Sequence, residues 1–315
     1  MKNLTLIITT YNRKVPLIKM LKSIENQGHY DDFKLIISNN SSDYNVEEWV
    51  KQNVSDSFFE IVEFYNRPFN IGGDLNIAFT FQLCQTKWMW LLSDDDYLSE
   101  GAIDVVLRDI YNNSEVATLK YSIVGFSPNI DYSINTIDGF LDYYLKSNQS
   151  SGEMIFMSNN VFNLEKVGKY IGYAPMSAHT YMSQMVPTFL SLMRENSKVV
   201  FKPDAIINYY FSGSSYNSSK AEAGFFNIVT FLDLNRSQAI KIKKIFKQRN
   251  QIGILIHLEK ENNRYIKRLL YRKIFESFYS YFNIKDLMFW ILFNICDITK
   301  LKLKKIQEFY KLVKR

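Results

Sequence analysis

Three consecutive aspartates follow one of the most apolar stretches of this 315-residue chain. The segment "WMWLLSDDDYLSEG" (88–101) runs directly into Asp94, Asp95 and Asp96. Adjacent carboxylates repel one another unless a cation neutralises them, and Mg²⁺ and Mn²⁺ prefer oxygen ligands while keeping waters and substrate phosphates in their shell. The aspartates therefore favour a divalent cation bound together with a phosphate-bearing ligand, although an acidic turn can also be merely solvated.

Polar clusters also follow three other apolar runs, and this recurrence favours a site over a solvated turn. They are "TTYN" (9–12), "SNNSSD" (38–43) and "NRPFNIGGDLN" (66–76). The carboxyl ends of parallel strands meet at one edge of a sheet, where ligands bind. If the four apolar runs are parallel strands, the four clusters converge on one crevice.

The loop "NIGGD" (70–74) has the composition of an anion-binding turn. Gly72 and Gly73 permit close backbone approach, and the N–H groups at the start of the following helix favour an anion. The loop is neither a Walker A sequence nor a GxGxxG fingerprint. P-loop enzymes and ordinary dinucleotide-binding proteins are therefore disfavoured as classes for this chain.

Hydrophobic periodicity supplies the elements that position these clusters. It predicts strands at 3–10, 33–38, 58–65, 87–93, 115–126, 153–158 and 199–211, and helices at 15–27, 45–53, 73–85, 100–112, 137–147, 163–170 and 177–196. This alternation predicts an α/β fold, Rossmann-like, with a mainly parallel sheet and helices on both faces.

A polar stretch divides the chain. The segment "FSGSSYNSSKAEAG" (211–224) lacks apolar periodicity and is predicted to be a flexible loop between a domain at 1–215 and a helical region at 225–315. The two cysteines, Cys84 and Cys296, form no CxxC pair, so neither a disulfide framework nor a cysteine zinc site is indicated. The N-terminus is predicted to be a strand and not a signal peptide, which favours a cytoplasmic location.

Five stretches resemble, in order and spacing, the GT-A fold glycosyltransferases of family 2. They are "LIITTYNR" (6–13), "SIENQ" (23–27), "LIISNNSSD" (35–43), "NIGGDLN" (70–76) and "WLLSDDDYL" (90–98). The resemblance implies an inverting transfer of a sugar from a nucleotide-diphosphate donor, with a UDP-sugar favoured, to a hydroxyl. It also implies that residues 1–98 bind the nucleotide sugar and that residues 99–215 form the acceptor side.

The resemblance assigns roles to particular residues. Asp94 to Asp96 correspond to the DxD motif of the family, which places Asp94 near the ribose and the waters of the metal and makes Asp96 a ligand of Mn²⁺ or Mg²⁺. Thr9 and Tyr11 flank the nucleoside. The further donor-binding residues that it implies are Asn39, Asn70, Gly72 and Asp95.

The sequence departs from the family pattern in two places. Where the family usually has two acids after its second strand, this chain has Ser38 and Asn39. The amide oxygen of Asn39 can still accept a hydrogen bond from a uracil, but thymidine and guanosine donors stay open. The acidic pair that often supplies the catalytic base is also absent between 150 and 200. The candidate base is therefore His179, with Glu153 and Asp204 as weaker alternatives.

Three classes of function were compared. The favoured one is a metal-dependent glycosyltransferase of bacterial surface-polysaccharide assembly that acts on a glycan or lipid-linked acceptor. The alternative is a non-catalytic nucleotide-sugar-binding or assembly subunit with the same fold. A nucleic-acid binder is disfavoured because no recognition signature is present and residues 1–235 carry a net charge of −8.

The positive charge of the chain is confined to its C-terminal part. Residues 236–315 carry 20 basic and 6 acidic side chains, together with the aromatic-rich segments "FESFYSYF" (275–282) and "LMFWILFNIC" (287–296). The apolar run is too short to span a bilayer, which needs about 20 residues. Lysines beside Trp, Phe and Leu favour helices lying in an anionic interface. We therefore expect a peripheral location on the inner face of the plasma membrane; a helical subdomain packed on the catalytic domain is the alternative.

Deletion of residues 284–315 tests the expected membrane contact. The full chain should sediment with vesicles that contain anionic phosphatidylglycerol, and the shortened chain should stay in the supernatant, because it lacks the basic and aromatic residues that contact the interface. Neutral phosphatidylcholine vesicles are the control. Equal sedimentation of the two chains would rule out this role for the segment.

Overall fold

A computed structural model describes residues 2–126, 128–147, 151–209 and 218–246. The described residues up to 209 form one compact unit, and residues 218–246 belong to a second. In the first unit the strands are β1 (Leu4–Thr10), β2 (Phe33–Asn39), β3 (Val62–Asn66), β4 (Trp88–Ser93), β5 (Tyr97–Leu98), β6 (Val116–Val124), β7 (Tyr132–Ile134), β8 (Asn160–Asn163) and β9 (Lys198–Asn208). The α-helices are α1 (Lys14–Glu25), α2 (Val46–Lys51), α3 (Asp56–Phe59), α4 (Gly73–Phe79), α5 (Ala102–Asn112), α6 (Ile137–Lys146), α7 (Ser151–Ile155), α8 (Leu164–Val167), α9 (Tyr173–Met176) and α10 (Val186–Glu195).

The first unit is organised by one mixed sheet with the strand order β3-β2-β1-β4-β8-β6-β9-β5, and β7 pairs with β9. Strands β1 to β4 pair in parallel, and β6 is parallel to β9. Between these groups β8 is antiparallel to both β4 and β6. Because β8 reverses direction once, β4 and β6 run the same way, and the carboxyl ends of β1, β2, β3, β4, β6 and β9 lie on one edge.

The core explains why the central strands are almost continuously apolar. Every residue of β4 except Ser93 is buried, as a strand covered on both faces requires. Helix α1 buries Leu17, Met20, Leu21 and Ile24 at helical spacing, and these side chains join the hydrophobic core of the sheet. The predicted α/β class, with a mainly parallel sheet flanked by helices, is confirmed.

Four predicted elements were wrong in type or extent. Residues 153–158 are not a strand, since α7 ends at Ile155 and β8 begins at Asn160. A short apolar run such as "MIF" does not distinguish a strand from a helix by its period. The predicted strand at 58–65 is shortened by α3, whose first turn is capped by the Ser55 side chain.

The other two errors concern helices. The predicted helix at 177–196 is broken: a 3₁₀ turn at Ala178–Thr180 ends at Tyr181, whose φ is +55°, and α10 starts only at Val186. The predicted loop at 211–224 overlaps α11 (Ser218–Phe231), which with α12 (Arg236–Phe246) makes up the described part of the second unit. In that unit Phe225 stacks on Phe246 with ring centroids 5.3 Å apart.

None of the helices in the described ranges has the length and apolar character needed to cross a membrane. The predicted basic, membrane-binding segments at 275–282 and 287–315 lie outside the described residues.

Candidate active site

The four polar clusters meet at the carboxyl edge of the sheet. In the parallel register Thr9 lies between Ser38 on β2 and Ser93 on β4. One step further along, Asn39 lies between Thr10 and Asn66. The chain segments that follow β1, β2, β3 and β4 therefore emerge side by side, and all the predicted donor-side residues belong to them.

Asp96 is fixed inside this edge. Its side chain is only 2% exposed, and its Oδ2 accepts a hydrogen bond from the Ser158 hydroxyl at 2.6 Å. The same hydroxyl oxygen accepts the N–H of Ser93 at 2.9 Å. Ser158 thus holds the end of β4 and the carboxylate together, and the direction of Asp96 is set before any ligand binds.

A buried lysine hydrogen-bonds to the two residues that follow Ser158. Lys120 on β6 is 1% exposed, and its Nζ donates to the side-chain oxygens of Asn159 at 2.9 Å and Asn160 at 3.0 Å. Burial lowers the pKa of Lys120 to about 7. The indole N–H of Trp90 donates to the Ser158 carbonyl at 2.8 Å. Since a buried amine is costly unless it is hydrogen-bonded, these contacts restrict how the Ser158 segment can lie.

Asp94 is a buried aspartate of the turn whose pKa is raised. Burial raises its pKa to about 7, and the charge of Asp95 acts in the same direction, while the neighbouring Thr10 hydroxyl, Arg13 and the Tyr11 N–H lower it. Its Oδ2 is buried with no hydrogen-bond partner among the described residues. A carboxylate in this setting gains much from a cation.

Arg13 supplies the positive charge at the turn in this structure. Its Nη1 donates to Asp95 Oδ2 at 2.8 Å, and its Nε lies 3.9 Å from Asp94 Oδ1. Asp95 also accepts the Ser93 hydroxyl. Asp95 therefore shapes the turn, whereas Asp94 and Asp96 are the more buried carboxylates.

The part of the edge formed by β2 and β3 is built from amides. Asn39 donates through Nδ2 to Asn66 Oδ1 at 3.0 Å and accepts the Ser42 N–H on its own Oδ1 at 3.0 Å. An amide oxygen has a second lone pair, so Asn39 keeps the capacity to accept from a base. Tyr11 is largely exposed beside this cluster and Thr9 is partly exposed.

The "NIGGD" loop is held open by its own polar side chains. Asn70 Oδ1 accepts the Asn40 amide at 2.8 Å and the Gly72 N–H at 2.7 Å. Gly72 has φ +89° at the start of α4, a conformation that strains any side-chain-bearing residue. The loop is therefore preformed, and it presents the beginning of α4 toward the same edge.

His179 is the exposed residue of a 3₁₀ turn that packs against α4. Tyr181 follows in this segment, and its pKa is raised to about 12, first by burial and then by the charge of Asp74 on α4. Burial also raises the pKa of Asp74 to about 6. The turn that carries His179 is thus next to the donor loop. Of the alternatives, Glu153 is buried in α7, and Asp204 lies 3.8 Å from Arg108.

The residues present fit a divalent cation only as part of a larger ligand set. Within the described ranges, no group of three or more His, Cys, Asp or Glu side chains is arranged to hold a metal. Asp94 and Asp96 offer hard oxygen atoms, and the orphaned Asp94 Oδ2 is a buried acceptor that a cation would satisfy. This donor set suits Mn²⁺ or Mg²⁺ with diphosphate oxygens and waters completing the shell.

Sequence reasoning missed the residues that orient the aspartates. Arg13 is the last residue of the stretch "LIITTYNR" (6–13), but the sequence alone assigned it no role. Its position shortly after β1 was the available signal. Ser158 and Lys120 carried no signal, because β8 and β6 bring them to the site from more than 20 residues away along the chain.

Comparison with known proteins identifies the family. The glycosyl transferase family 2 profile matches residues 5–159. The GalNAc(5)-diNAcBac-PP-undecaprenol beta-1,3-glucosyltransferase of Campylobacter jejuni is 31% identical over 108 residues, which cover 34% of each chain. Abequosyltransferase RfbV of Salmonella typhimurium is 29% identical over 110 residues, 35% of this chain and 33% of the relative. The chain thus matches about a third of the length of these curated relatives.

Solved structures agree in fold. TarS 1-349 from S. aureus in complex with UDP-GlcNAc aligns with a TM-score of 0.61 at 10% identity, over 88% of this chain and 80% of that one. The mannosyltransferase PcManGT of Pyrobaculum calidifontis, in complex with GDP-Man and Mn²⁺, aligns with a TM-score of 0.52 at 9% identity, over 97% and 82%. The fold is GT-A-like, and through residues 5–159 the chain belongs to glycosyl transferase family 2.

Proposed function

We propose that this protein is a metal-dependent inverting glycosyltransferase. Its donor is a nucleotide-diphosphate sugar, with a UDP-sugar favoured, and its acceptor is a hydroxyl of a glycan or of a lipid-linked molecule. The observation that carries the proposal is the pair of buried carboxylates, Asp94 and Asp96, fixed at the carboxyl edge of the sheet beside a preformed glycine loop. Family membership and the nucleotide-sugar ligands of TarS and PcManGT support the same chemistry.

The donor side works by positioning and charge. A bound Mn²⁺ or Mg²⁺ supplies the positive charge that stabilises the departing diphosphate. Asp96, oriented by Ser158, would hold the cation, and Asp94 would lie near the ribose and the waters of the metal. The nucleoside is flanked by Thr9, Tyr11 and Asn39. The loop that faces the donor is held in its conformation by Asn70 and Gly72. Arg13 restrains Asp95, so that the turn stays in one conformation.

The acceptor side needs a base, and His179 is the proposed one. An imidazole can take the proton from a hydroxyl as the oxygen attacks the anomeric carbon from the face opposite the diphosphate. The packing of its 3₁₀ turn on α4 keeps it near the donor loop.

The relatives support a proposal about the cellular setting. One is named for transfer to a PP-undecaprenol-linked glycan and the other for abequose transfer. We infer that this chain also acts in bacterial surface-polysaccharide assembly, with its catalytic unit, residues 1–215, on the cytoplasmic side of the membrane and its basic region, residues 225–315, on the inner membrane face.

Removing the carboxylate of Asp96 should abolish metal-dependent turnover. Asp96→Asn retains a side-chain oxygen for Ser158 but loses the charge, so Mn²⁺-dependent release of nucleotide from UDP-glucose, UDP-GlcNAc or GDP-mannose should fall by at least about 100-fold. The matched control is Asp56→Asn on exposed α3, which should keep full activity. Unchanged turnover of Asp96→Asn would exclude Asp96 as a metal ligand, and a folded wild type without turnover on any donor would favour a non-catalytic binding subunit.

The raised pKa of Asp94 predicts that replacing this carboxyl by a neutral amide stabilises the folded protein, and that the gain depends on pH. Between about pH 4 and 7 the unfolded chain has lost the Asp94 proton while the folded protein retains it, so folding stability falls as pH rises through this window. Relative to wild type, metal-free Asp94→Asn should have a free energy of unfolding that is equal below pH 4 and higher by up to about 4 kcal/mol above pH 7. Urea unfolding at a series of pH values measures this difference, and a pH-independent difference would contradict the assignment.

Replacement of His179 tests the base. His179→Ala should lower kcat for transfer by about 10²- to 10⁴-fold while leaving the affinity for UDP and Mn²⁺ unchanged, because a general base acts on the acceptor proton and not on the donor. His29→Ala is the control, since His29 contacts Asp32 and Asp104 on the surface. Full transfer activity in folded His179→Ala would remove this candidate.

A further inference from the structure

Three aromatic side chains form a partly exposed surface at the same edge of the sheet. We call Phe126, Phe156 and Tyr209 the aromatic ledge. The Tyr209 ring meets Phe126 at a centroid distance of 5.9 Å and Phe156 at 5.8 Å, in both cases nearly edge to face. Tyr209 is 43% exposed and Phe126 39% exposed. The rings therefore fix one another and still offer apolar surface to a ligand.

The strand register places the ledge beside Asp96. Tyr97 pairs with Asn208 and Leu98 with Ile207 in the antiparallel contact of β5 with β9. The next position of this register sets Asp96 opposite Tyr209. On the other side of β9, Asn208 pairs with Val124, two residues before Phe126.

A second, independent connection reaches the same place. Phe156 is two residues before Ser158, whose hydroxyl donates to Asp96 Oδ2 at 2.6 Å. The ledge is thus continuous with the turn that holds the reaction centre, and it lies on the β9 side of that turn, whereas β1 to β3 and their amides lie on the other side. A molecule on the ledge would face the donor sugar and not the nucleoside.

The chemistry of the ledge suits a sugar ring. A hydroxyl must be presented next to the anomeric carbon, so the occupant needs polar groups at its rim as well as an apolar surface. One face of a pyranose consists of C–H groups that contact the negatively polarised face of an aromatic ring, while its hydroxyls project around the edge. A saturated lipid chain would satisfy the rings but would bring no hydroxyl to this position.

We propose that the aromatic ledge is the subsite for the acceptor sugar, and that Tyr209 and Phe126 stack on the C–H face of a neutral pyranose at the end of the acceptor. This deepens the proposed glycosyltransferase function and rests on it. The ledge sets the class of acceptor, a carbohydrate hydroxyl, and makes Tyr209 and Phe126 specificity-determining residues.

Saturation-transfer NMR on the full chain tests the subsite directly. The probes are the methyl β-glycosides of glucose, galactose and N-acetylglucosamine, in the presence of UDP and Mn²⁺. Saturation should concentrate on H1, H3 and H5, the protons of one ring face. Tyr209→Ala and Phe126→Ala should each weaken the best-bound glycoside by roughly 3- to 10-fold. Tyr209→Phe should bind as wild type does, and so should Tyr111→Ala, which removes an exposed aromatic from α5.

The outcomes separate this proposal from the proposed function. Donor hydrolysis, UDP binding and glycoside binding should all be unchanged in Tyr111→Ala, so a loss of glycoside binding confined to Tyr209→Ala and Phe126→Ala supports the ledge. The ledge proposal is overturned if no glycoside binds, if glycosides bind equally to wild type, Tyr209→Ala and Phe126→Ala, or if saturation of geranyl phosphate, and not of glycosides, depends on Tyr209. A wild-type protein that neither binds UDP nor hydrolyses any nucleotide sugar refutes the proposed function instead, whatever the glycosides do.

Discussion

The burial of two carboxylates at the end of β4 is the constraint around which the rest of the site is arranged. Asp94 and Asp96 sit where an apolar strand leaves the core, and their charges are costly there without compensation. Ser158 satisfies one oxygen of Asp96, and Arg13 lies near Asp94 while pairing with Asp95. The folded protein thus keeps negative charge in this turn, and that charge favours binding of a cation. Burying the charge lowers the stability of the domain when no cation is bound.

The reversal of one strand makes this arrangement possible. Because β8 is antiparallel between β4 and β6, the segment just before it ends beside the aspartate turn and delivers Ser158 there. Lys120 lies on β6, the strand that pairs with β8, and it hydrogen-bonds to the two asparagines that follow Ser158. The two parts of the sheet are therefore joined through β8 and the short segment that precedes it.

The two sides of the edge differ in chemistry. On the β1 to β3 side, asparagines bond to one another and to backbone N–H groups, which fixes polar atoms without adding charge. On the β9 side, aromatic rings replace the amides. This division suits the proposed polar donor and the proposed sugar acceptor, since each would be poorly held by the surface of the other.

The sequence by itself determined the sheet type and the convergence of four polar clusters, because strand and helix periods and residue chemistry are local properties. It was wrong at 153–158 and 177–196, where short apolar runs have no unambiguous period. Only the tertiary structure decided which groups surround the aspartate turn. Ser158 hydrogen-bonds to Asp96, and Lys120 hydrogen-bonds to the two asparagines that follow Ser158. Both come from parts of the chain whose strand pairing depends on long-range packing. Strand order and register, which no local pattern encodes, turned a set of polar loops into a site.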